Sequence, residues 1–461
     1  MDISERLRNE PIGKLFFQLA IPSVLAQLVN LLYNIIDRMY LGHMDQIGSV
    51  ALTGVGLCMP MICIISAFTM LIAQGGAPHA SIAMGQNDKD KAEKILGNCT
   101  ITMILVALCL TVVFLLTGRQ MLMLFGASDE TIVYAWPYMM IYVAGSVFVM
   151  GALGLNQFIT TQGFTRVSMI NVVSGAVCNI ILDPIFIFAL GMGVRGAAIA
   201  TVLSQFLVTI MAVRFLTGKK TFLKIRKKYF RPEKQIMLPV FALGLAPFIM
   251  QATEAALNIS FNFSLQKYGG DIAVGAMTIA GTVMQMFWVP SGGIGQGAQP
   301  IISYNFGAGD KARLKKIVKL LFLVMEGYFL IGWMAVEAFP QVFIRMFNTS
   351  SPELFETTMM ALRVYVASLG LFGLQSSVQQ VLVATGQAKT SMFVACLRKV
   401  ILLIPFIFIL PHFFEDKVFA VFLAEPVSDL ISITVSTGIF LGIFPRILKM
   451  TDEKKKSIQI Q

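Results

Sequence analysis

Two stretches of this chain are copies of one another and decide its fold: QGGAPHASIAMGQNDKDKAEKI at residues 74–95 and QGAQPIISYNFGAGDKARLKKI at residues 296–317. Identical residues recur at one constant offset, among them Gly85 with Gly307. A match of this length between distant parts of one chain indicates an internal repeat.

Two shorter pairs follow in the same order. NQFITTQGFTRVSM at 156–169 resembles QQVLVATGQAKTSM at 379–392, and Pro22 corresponds to Pro247. Three pairs in one order and at nearly one spacing predict that the chain consists of two related halves. Parallel repeats of this kind in transporters are related by an axis along the membrane normal.

The composition places both halves in a membrane. The 461 residues are 56% hydrophobic and 13% charged, whereas soluble domains carry about 25% charged residues. Apolar runs of about 20 residues or more recur along the chain, each long enough to cross a bilayer. We predict an all-α integral membrane protein with twelve transmembrane helices in two six-helix lobes with pseudo-two-fold symmetry. The predicted spans lie near residues 15–41, 47–73, 95–117, 131–160, 167–190, 194–217, 236–264, 272–300, 317–340, 357–384, 391–413 and 417–444.

The distribution of basic residues predicts the domains and the orientation. About 27 of the 36 Lys and Arg residues fall on one side of the predicted membrane and about 6 on the other, so both termini are expected in the cytoplasm of a bacterial cell. The net charge of +11 sits in short runs that suit an anionic membrane surface rather than nucleic acid. The expected parts are an N-terminal lobe, a basic loop, a C-terminal lobe and a basic tail, at residues 1–217, 218–235, 236–445 and 446–461.

The polar residues inside the first lobe form the sharpest candidate site. Spacings of three, four and seven place four polar side chains on one face of the first span, and two more lie four residues apart on the fifth span, just before Pro184. Ionisable groups at membrane depth are costly and usually functional. We interpret these positions as an ion-coupling site with a neighbouring cleft: Asn30, Tyr33, Asn34, Asp37, Asn179 and Asp183.

The second lobe keeps the scaffold but not these acids. Asp37 aligns with Asn262, and Asp183 aligns with Ile404. An ion site that is used once per transport cycle is needed in only one lobe. The alternative is structural: Asp37 pairs with Arg38, and Asp183 caps a kinked turn.

The second lobe has charges of its own. Glu254 lies in the middle of the seventh span and has no obvious partner in the sequence, so it is a candidate for contact with substrate or ion. Four further charged residues lie in the eleventh and twelfth spans, where antiparallel neighbours can form a buried ion-pair network. They are Arg398, Lys399, Glu425 and Asp429.

Two similar lobes suggest a cleft between them, and rocking of the lobes can expose this cleft first to one side of the membrane and then to the other. We expect an ion gradient to supply the energy for this motion. The sequence has no GxxxxGK[ST] phosphate loop, because GKKT at 218–221 lacks the required spacing. We therefore expect no catalytic residues, no cofactor and no structural metal. A charge that moves through 100 mV releases about 2.3 kcal/mol, which is enough to drive transport.

The whole chain, from about residue 10 to 445, resembles the multidrug and toxic compound extrusion (MATE) family. Four stretches carry the resemblance: GQGAQPIISYNFGAGD, NQFITTQG, NIILDPIFIF and LRKVILLIPF, at 295–310, 156–163, 179–188 and 397–406. The resemblance implies a secondary antiporter that exports cationic amphipathic compounds in exchange for H⁺ or Na⁺. We also expect the protein to be a monomer. A flippase for a lipid-linked glycan precursor is the alternative within the wider group.

The resemblance also assigns residues. It implies an N-lobe coupling site at Asp37, Asn156, Asn179, Asp183 and Thr201, where Na⁺ would bind if Na⁺ is the coupling ion. Another branch of the family uses acids of the second lobe. Glu254 matches the first of those acids, but the tenth span carries Gln375 and no acid near its centre. The sequence therefore favours the first lobe.

Overall fold

The chain is almost entirely helical in the computed structural model, which describes residues 3–42, 44, 48–347 and 351–460. Residue 47, the predicted start of the second span, lies outside these ranges. In chain order the helices are α1 (Ile3–Asn9), α2 (Ile12–Gly42), α3 (Gly48–Gly56), α4 (Met59–Gly85), α5 (Lys89–Leu124), α6 (Ile132–Ala144), α7 (Ser146–Thr161), α8 (Thr165–Pro184), α9 (Val194–Thr217), α10 (Lys234–Gly307), α11 (Lys311–Ala338), α12 (Pro340–Arg345), α13 (Pro352–Tyr365), α14 (Phe372–Ala384), α15 (Ala388–Cys396), α16 (Ile404–Ile409) and α17 (Lys417–Ile460).

The helices agree with the predicted spans. Within the described ranges, ten helices are long and apolar enough to cross a membrane, and the pair α6 and α7, bent by 56°, adds an eleventh. The helix α10 contains two predicted spans, because Gly270 interrupts it with φ 62° and ψ −157°. Positive φ is accessible to glycine at no steric cost. The predicted all-α membrane fold is confirmed.

Two spans change their helical period next to a proline. A π-helical segment, Ile185–Ala189, follows Pro184, and another, Leu397–Leu403, ends just before Pro405. Proline lacks a backbone donor and obstructs the preceding turn, and π-helical turns relieve that conflict, frequently at functional sites. The two prolines correspond in the repeat, but the π-helical segment follows Pro184 in the first half and precedes Pro405 in the second.

Glycines of the repeat form close contacts between the halves. Gly85 and Gly307 occupy the same repeat position, and each faces the backbone of the other half. A Cβ atom on Gly85 would lie 2.1 Å from the carbonyl oxygen of Tyr304, and one on Gly307 would lie 2.1 Å from that of Ile82. The contact is therefore reciprocal, as a two-fold axis between related halves requires.

A second pair of repeated glycines makes equivalent contacts between the halves. A Cβ atom on Gly75 would lie 2.1 Å from the carbonyl oxygen of Val240 in α10, and one on Gly297 would lie 2.4 Å from Cα of Ala20 in α2. In each half, the span that carries the repeated glycines therefore packs against the first membrane span of the other half. We call Gly75, Gly85, Gly297 and Gly307 the glycine seam.

The connection between the halves is docked on the first half. We call residues 218–233 the linker. The side-chain oxygen of Gln162 accepts hydrogen bonds from the Thr221 hydroxyl at 2.9 Å and from the backbone N–H groups of Phe222 at 3.1 Å and Leu223 at 2.8 Å. At the end of the linker, Glu233 donates its backbone N–H to Asn98 of α5 at 2.7 Å. The linker is therefore an ordered layer on the first half.

Hydrogen bonds also join the termini to this end of the bundle. Arg313, in the first turn of α11, donates to the carbonyl oxygens of Leu7 at 3.0 Å and Glu10 at 2.8 Å. Lys311 pairs with Asp452 of α17 at 2.7 Å. We call the end that carries α1, the linker and the last turns of α17 the basic end. The glycine seam and these bonds hold the two halves together there.

Candidate functional site

A cavity of about 680 Å³ lies between the halves, lined mainly by helices of the first half. We call it the first cavity. Gln251 and Gln296 of α10 contribute to its wall from the second half. The structure brings most of the predicted cleft and coupling residues to this one surface, namely Asn30, Tyr33, Asn34, Asp37, Asn156 and Thr201.

The two predicted acids meet beside this cavity, where α2 packs against α8. Asp183 is completely buried, and its Oδ1 accepts a hydrogen bond from Nδ2 of Asn179 at 3.3 Å. The carboxyl group of Asp37 lies within hydrogen-bonding reach of that of Asp183. We call Asp37, Asn179 and Asp183 the acid site.

The acid site contains buried oxygen atoms that have no hydrogen-bond donor among the described residues. They are Oδ1 of Asp37, Oδ1 of Asn179 and Oδ2 of Asp183. Unpaired polar atoms away from water carry a free-energy cost, so native proteins keep few of them. Three such oxygens on adjacent side chains make a site that a proton or an oxygen-binding cation would complete.

The proposed partner of Asp37 makes another contact. Arg38 and Asp37 form no ion pair, although both belong to the described part of the chain, and Arg38 Nη2 instead approaches Sδ of Met59 at 4.0 Å. The polar face of α2 has a hydrogen bond within the helix, in which Nδ2 of Asn34 donates to the carbonyl oxygen of Asn30 at 2.6 Å. The geometry therefore does not support a simple ion pair as the role of Asp37.

Asn171 belongs to the site, and sequence reasoning missed it. Its Nδ2 donates to Oδ1 of Asn156 at 2.9 Å, and Asn156 in turn donates to the carbonyl oxygen of Ala152 at 3.0 Å. The signal was present, since Asn171, Gly175, Asn179 and Asp183 follow one another at steps of four, which line up on one face of α8.

Aromatic side chains form another part of the first cavity. The rings of Tyr138 and Tyr142 stack with centroids 6.2 Å apart and an angle of 15° between their planes. Met59 and Met70 line the same space. Aromatic faces attract organic cations, and methionine adapts to guests of different shapes, so the cavity suits flat cationic compounds.

The second half contains a smaller cavity, of about 210 Å³, with a buried charge cluster. We call it the second cavity. Arg398 pairs with Glu425 at 2.7 Å and with Asp429 at 2.5 Å, and Ser368 donates to the other oxygen of Asp429 at 2.8 Å. The guanidinium group also lies 4.7 Å from the ring centroid of Trp288. The predicted pairing between the last two spans is thus present.

The structure corrects the prediction that Glu254 has no partner. The ammonium group of Lys399 contacts the carboxylate of Glu254 directly, and Lys399 also donates to the carbonyl oxygen of Met250 at 3.2 Å. Glu254 remains 49% exposed and lines the second cavity. The predicted cleft residue Gln375 is buried in α14 and lines neither cavity. Glu254 and Gln375 are therefore not brought together with the acid site.

Loss of the central cation should destabilise the second half. We expect Arg398→Gln to lower the free energy of unfolding by about 3–5 kcal/mol, because it leaves the buried Glu425 and Asp429 without their cation. The measurement is the midpoint of thermal unfolding in detergent. Arg363→Gln is the matched control, since Arg363 lies on an exposed helix face and should have little effect. Equal midpoints for the two variants would contradict this role for Arg398.

Taken together, a duplicated helical bundle with a polar cavity between its halves defines a multi-pass membrane transporter. A model of the MatE family matches the chain twice, at residues 22–185 and 247–409, and the matches begin at the repeated prolines. The chain belongs to the MatE family.

Curated relatives cover nearly the same length. The chain is 26% identical over 418 residues to the multidrug export protein MepA of Staphylococcus haemolyticus (strain JCSC1435), with 90% of this chain and 91% of that protein aligned. It is 25% identical over 406 residues to MepA of Staphylococcus aureus (strain N315), with 88% and 89% aligned.

Solved structures share the fold. "Crystal structure of MATE in the bent conformation" aligns with a TM-score of 0.90 at 22% identity and covers 98% of this chain and 99% of that chain. "Outward-facing conformation of a multidrug resistance MATE family transporter of the MOP superfamily" aligns with a TM-score of 0.87 at 22% identity, with 96% and 98% covered. These similarities support the two-lobe architecture.

Proposed function

We propose that this protein is a secondary active multidrug efflux antiporter that exports cationic amphipathic compounds in exchange for H⁺ or Na⁺. The observation that carries the proposal is the acid site, where three buried oxygens that receive no hydrogen bond from the described part of the chain lie beside a large polar and aromatic cavity. The multidrug export function named for the MepA relatives supports the substrate class.

The proposed mechanism is competition through one conformational equilibrium. When the coupling ion occupies the acid site, it neutralises negative charge next to the cavity, which then binds a cationic compound less tightly. Release of the ion restores the charge and favours the cation. Two ligands that bias the same equilibrium in opposite directions are coupled, and the coupling is reciprocal. Alternating access then follows from rocking of residues 1–217 against residues 236–445.

Na⁺ and H⁺ would use the same atoms differently. A proton would bind one carboxyl oxygen of Asp37 or Asp183 and let it donate to its neighbour. Na⁺ would take the carboxylate and amide oxygens of the acid site as ligands, and Asn156 and Thr201 lie along the same cavity wall. We propose these five residues as the coupling site, with both termini in the cytoplasm and the monomer as the transporting unit.

The geometry gives less support to a flippase for a lipid-linked glycan. A pyrophosphate substrate requires free basic groups in the central cavity. The deep basic residues Arg398 and Lys399 are instead engaged by Glu425, Asp429 and Glu254 in the second half. Among the residues that the structure describes, the wall of the first cavity contains a single basic one, Arg38, next to Asp37, and Asp183 lies beside it, so this cavity carries no cluster of basic groups for a pyrophosphate.

The direct test is dye transport by the purified protein in liposomes without ATP. We expect ethidium to move against its gradient when an opposing proton or sodium gradient is imposed, and we expect one of these gradients to be sufficient alone. Liposomes treated with an ionophore for the imposed ion are the matched control. Ethidium movement that persists in the absence of either gradient, or that requires ATP, would contradict the proposal.

A further inference from the structure

A third cavity, of about 370 Å³, lies at the basic end between the two halves. Helices α4 and α5 supply its wall from the first half, while α10, α17 and the turn between α14 and α15 supply it from the second. Its titratable and amide side chains are His79, Gln86, Lys91, Gln235, Gln387 and Lys454. No aspartate or glutamate is among the described residues that line it.

The two lysines approach the third cavity from opposite halves. Lys91 belongs to the first turn of α5 and Lys454 to the last turns of α17. Both lysines line this one cavity, where the ammonium group of Lys454 lies 4.8 Å from the ring centroid of Phe306. Like charges that face the same space repel each other. An anion between two such groups replaces a repulsion by two attractions. The attraction to the half-buried Lys454 is screened less by water than the attraction to Lys91, whose side chain is exposed.

Other donors and an apolar wall surround this position. The side-chain amides of Gln86 and Gln387 make no hydrogen bond with the described chain, so their N–H groups are available to a ligand. Most of the remaining wall is apolar, although His79, Gln235 and Thr385 also line it. The apolar residues include Ile82, Ile95, Val240, Phe306 and Met450. Basic groups and amide donors set in a largely apolar wall suit an anion that carries an apolar part.

We propose that the third cavity binds a phosphate-bearing anion that bridges Lys91 and Lys454 and thereby stabilises the arrangement in which the halves meet at the basic end. Two sources supply this chemistry: the headgroup of an anionic phospholipid, or free phosphate. The basic end is expected to face the anionic leaflet, which brings lipid headgroups to the cavity. Since the ligand contacts both halves, its departure accompanies their separation.

The test measures thermal unfolding of the full chain in nanodiscs. One arm compares phosphatidylcholine alone with phosphatidylcholine plus phosphatidylglycerol, and a second arm adds inorganic phosphate at constant ionic strength. We expect phosphatidylglycerol to raise the unfolding midpoint by several degrees in the wild type and native mass spectrometry to show retained phosphatidylglycerol. Stabilisation by phosphate as well would identify a soluble source for the same site.

Variants decide whether the third cavity is responsible. The double variant Lys91→Gln/Lys454→Gln should lose both the stabilisation and the retained lipid. The matched control is Lys315→Gln/Lys316→Gln, which removes the same charge from exposed positions at the same end and should keep both effects. Lys91→Arg, which keeps the charge, should also keep them. Equal responses of the two double variants, or no response of the wild type to either anion, would overturn the proposal.

Discussion

Asp183→Asn is expected to abolish gradient-driven export, and Asp37→Asn is expected to do the same. Asparagine has nearly the shape of a protonated aspartate, so the variant protein behaves as if the acid site were permanently neutral. It then cannot exchange an ion for a cationic compound, although Asn179 keeps a polar partner at 183. We expect the transport rate to fall at least about tenfold, which corresponds to a barrier that is higher by about 1.4 kcal/mol.

The readout is ethidium efflux from liposomes with imposed gradients, together with the amount of folded protein in the membrane. The matched control is Asn262→Ala, which changes the position in the second half that corresponds to Asp37 and should be much milder. Both aspartate variants should still bind ethidium, since the aromatic wall is intact, but less tightly than the wild type does when its acid site is charged. Wild-type export by both variants would show that coupling lies elsewhere, and Glu254 would then be the next residue to change.

Gly85→Ala is expected to open the basic end. The added Cβ would lie 2.1 Å from the carbonyl oxygen of Tyr304, so the two halves must separate locally to admit it. Overpacking of this kind costs about 1–3 kcal/mol. The strain exists only while the halves meet at the glycine seam, so the populations of the two access states should change by roughly 5- to 150-fold.

The shift can be measured as the distance between probes on the two halves at the basic end. Gly307→Ala should have the same effect, since the repeat makes the contact reciprocal. Gly292→Ala is the control, because a Cβ atom there meets no neighbour within 4 Å. If the probe distances of Gly85→Ala and Gly292→Ala coincide, the glycine seam does not control the access state.

The sequence predicted the spans and the cavity wall because both follow from periodic patterns. Apolar length defines a span, and steps of three or four place Asn30, Asn34 and Asp37 on one face. The same rule, extended by two further steps of four from Asn179, would have reached Asn171. The two-fold relation between the halves was also predictable, since identical residues recur at a constant offset in the sequence.

Contacts between distant helices were not predictable in this way. Periodicity gives the face on which a residue lies but not the neighbour that it meets, so the pairing of Glu254 with Lys399, 145 positions later, had no local signal. Gln162 is a similar case, because an amide at the end of a helix gives no indication that it will collect three donors from the linker.

The docked linker has a mechanical consequence. Glu233 is tied to the first half through its backbone N–H on Asn98 and its ion pair with Lys94 at 2.7 Å, and α10 begins at the next residue. Motion of the second half relative to the first is therefore concentrated at a fulcrum at this point. The part of α10 before Gly270 is about 54 Å long at about 1.5 Å per residue. A tilt of about 10° at the fulcrum would move the far end of this lever arm by about 9 Å, so a small rearrangement near the membrane surface is enough to open or close the opposite side.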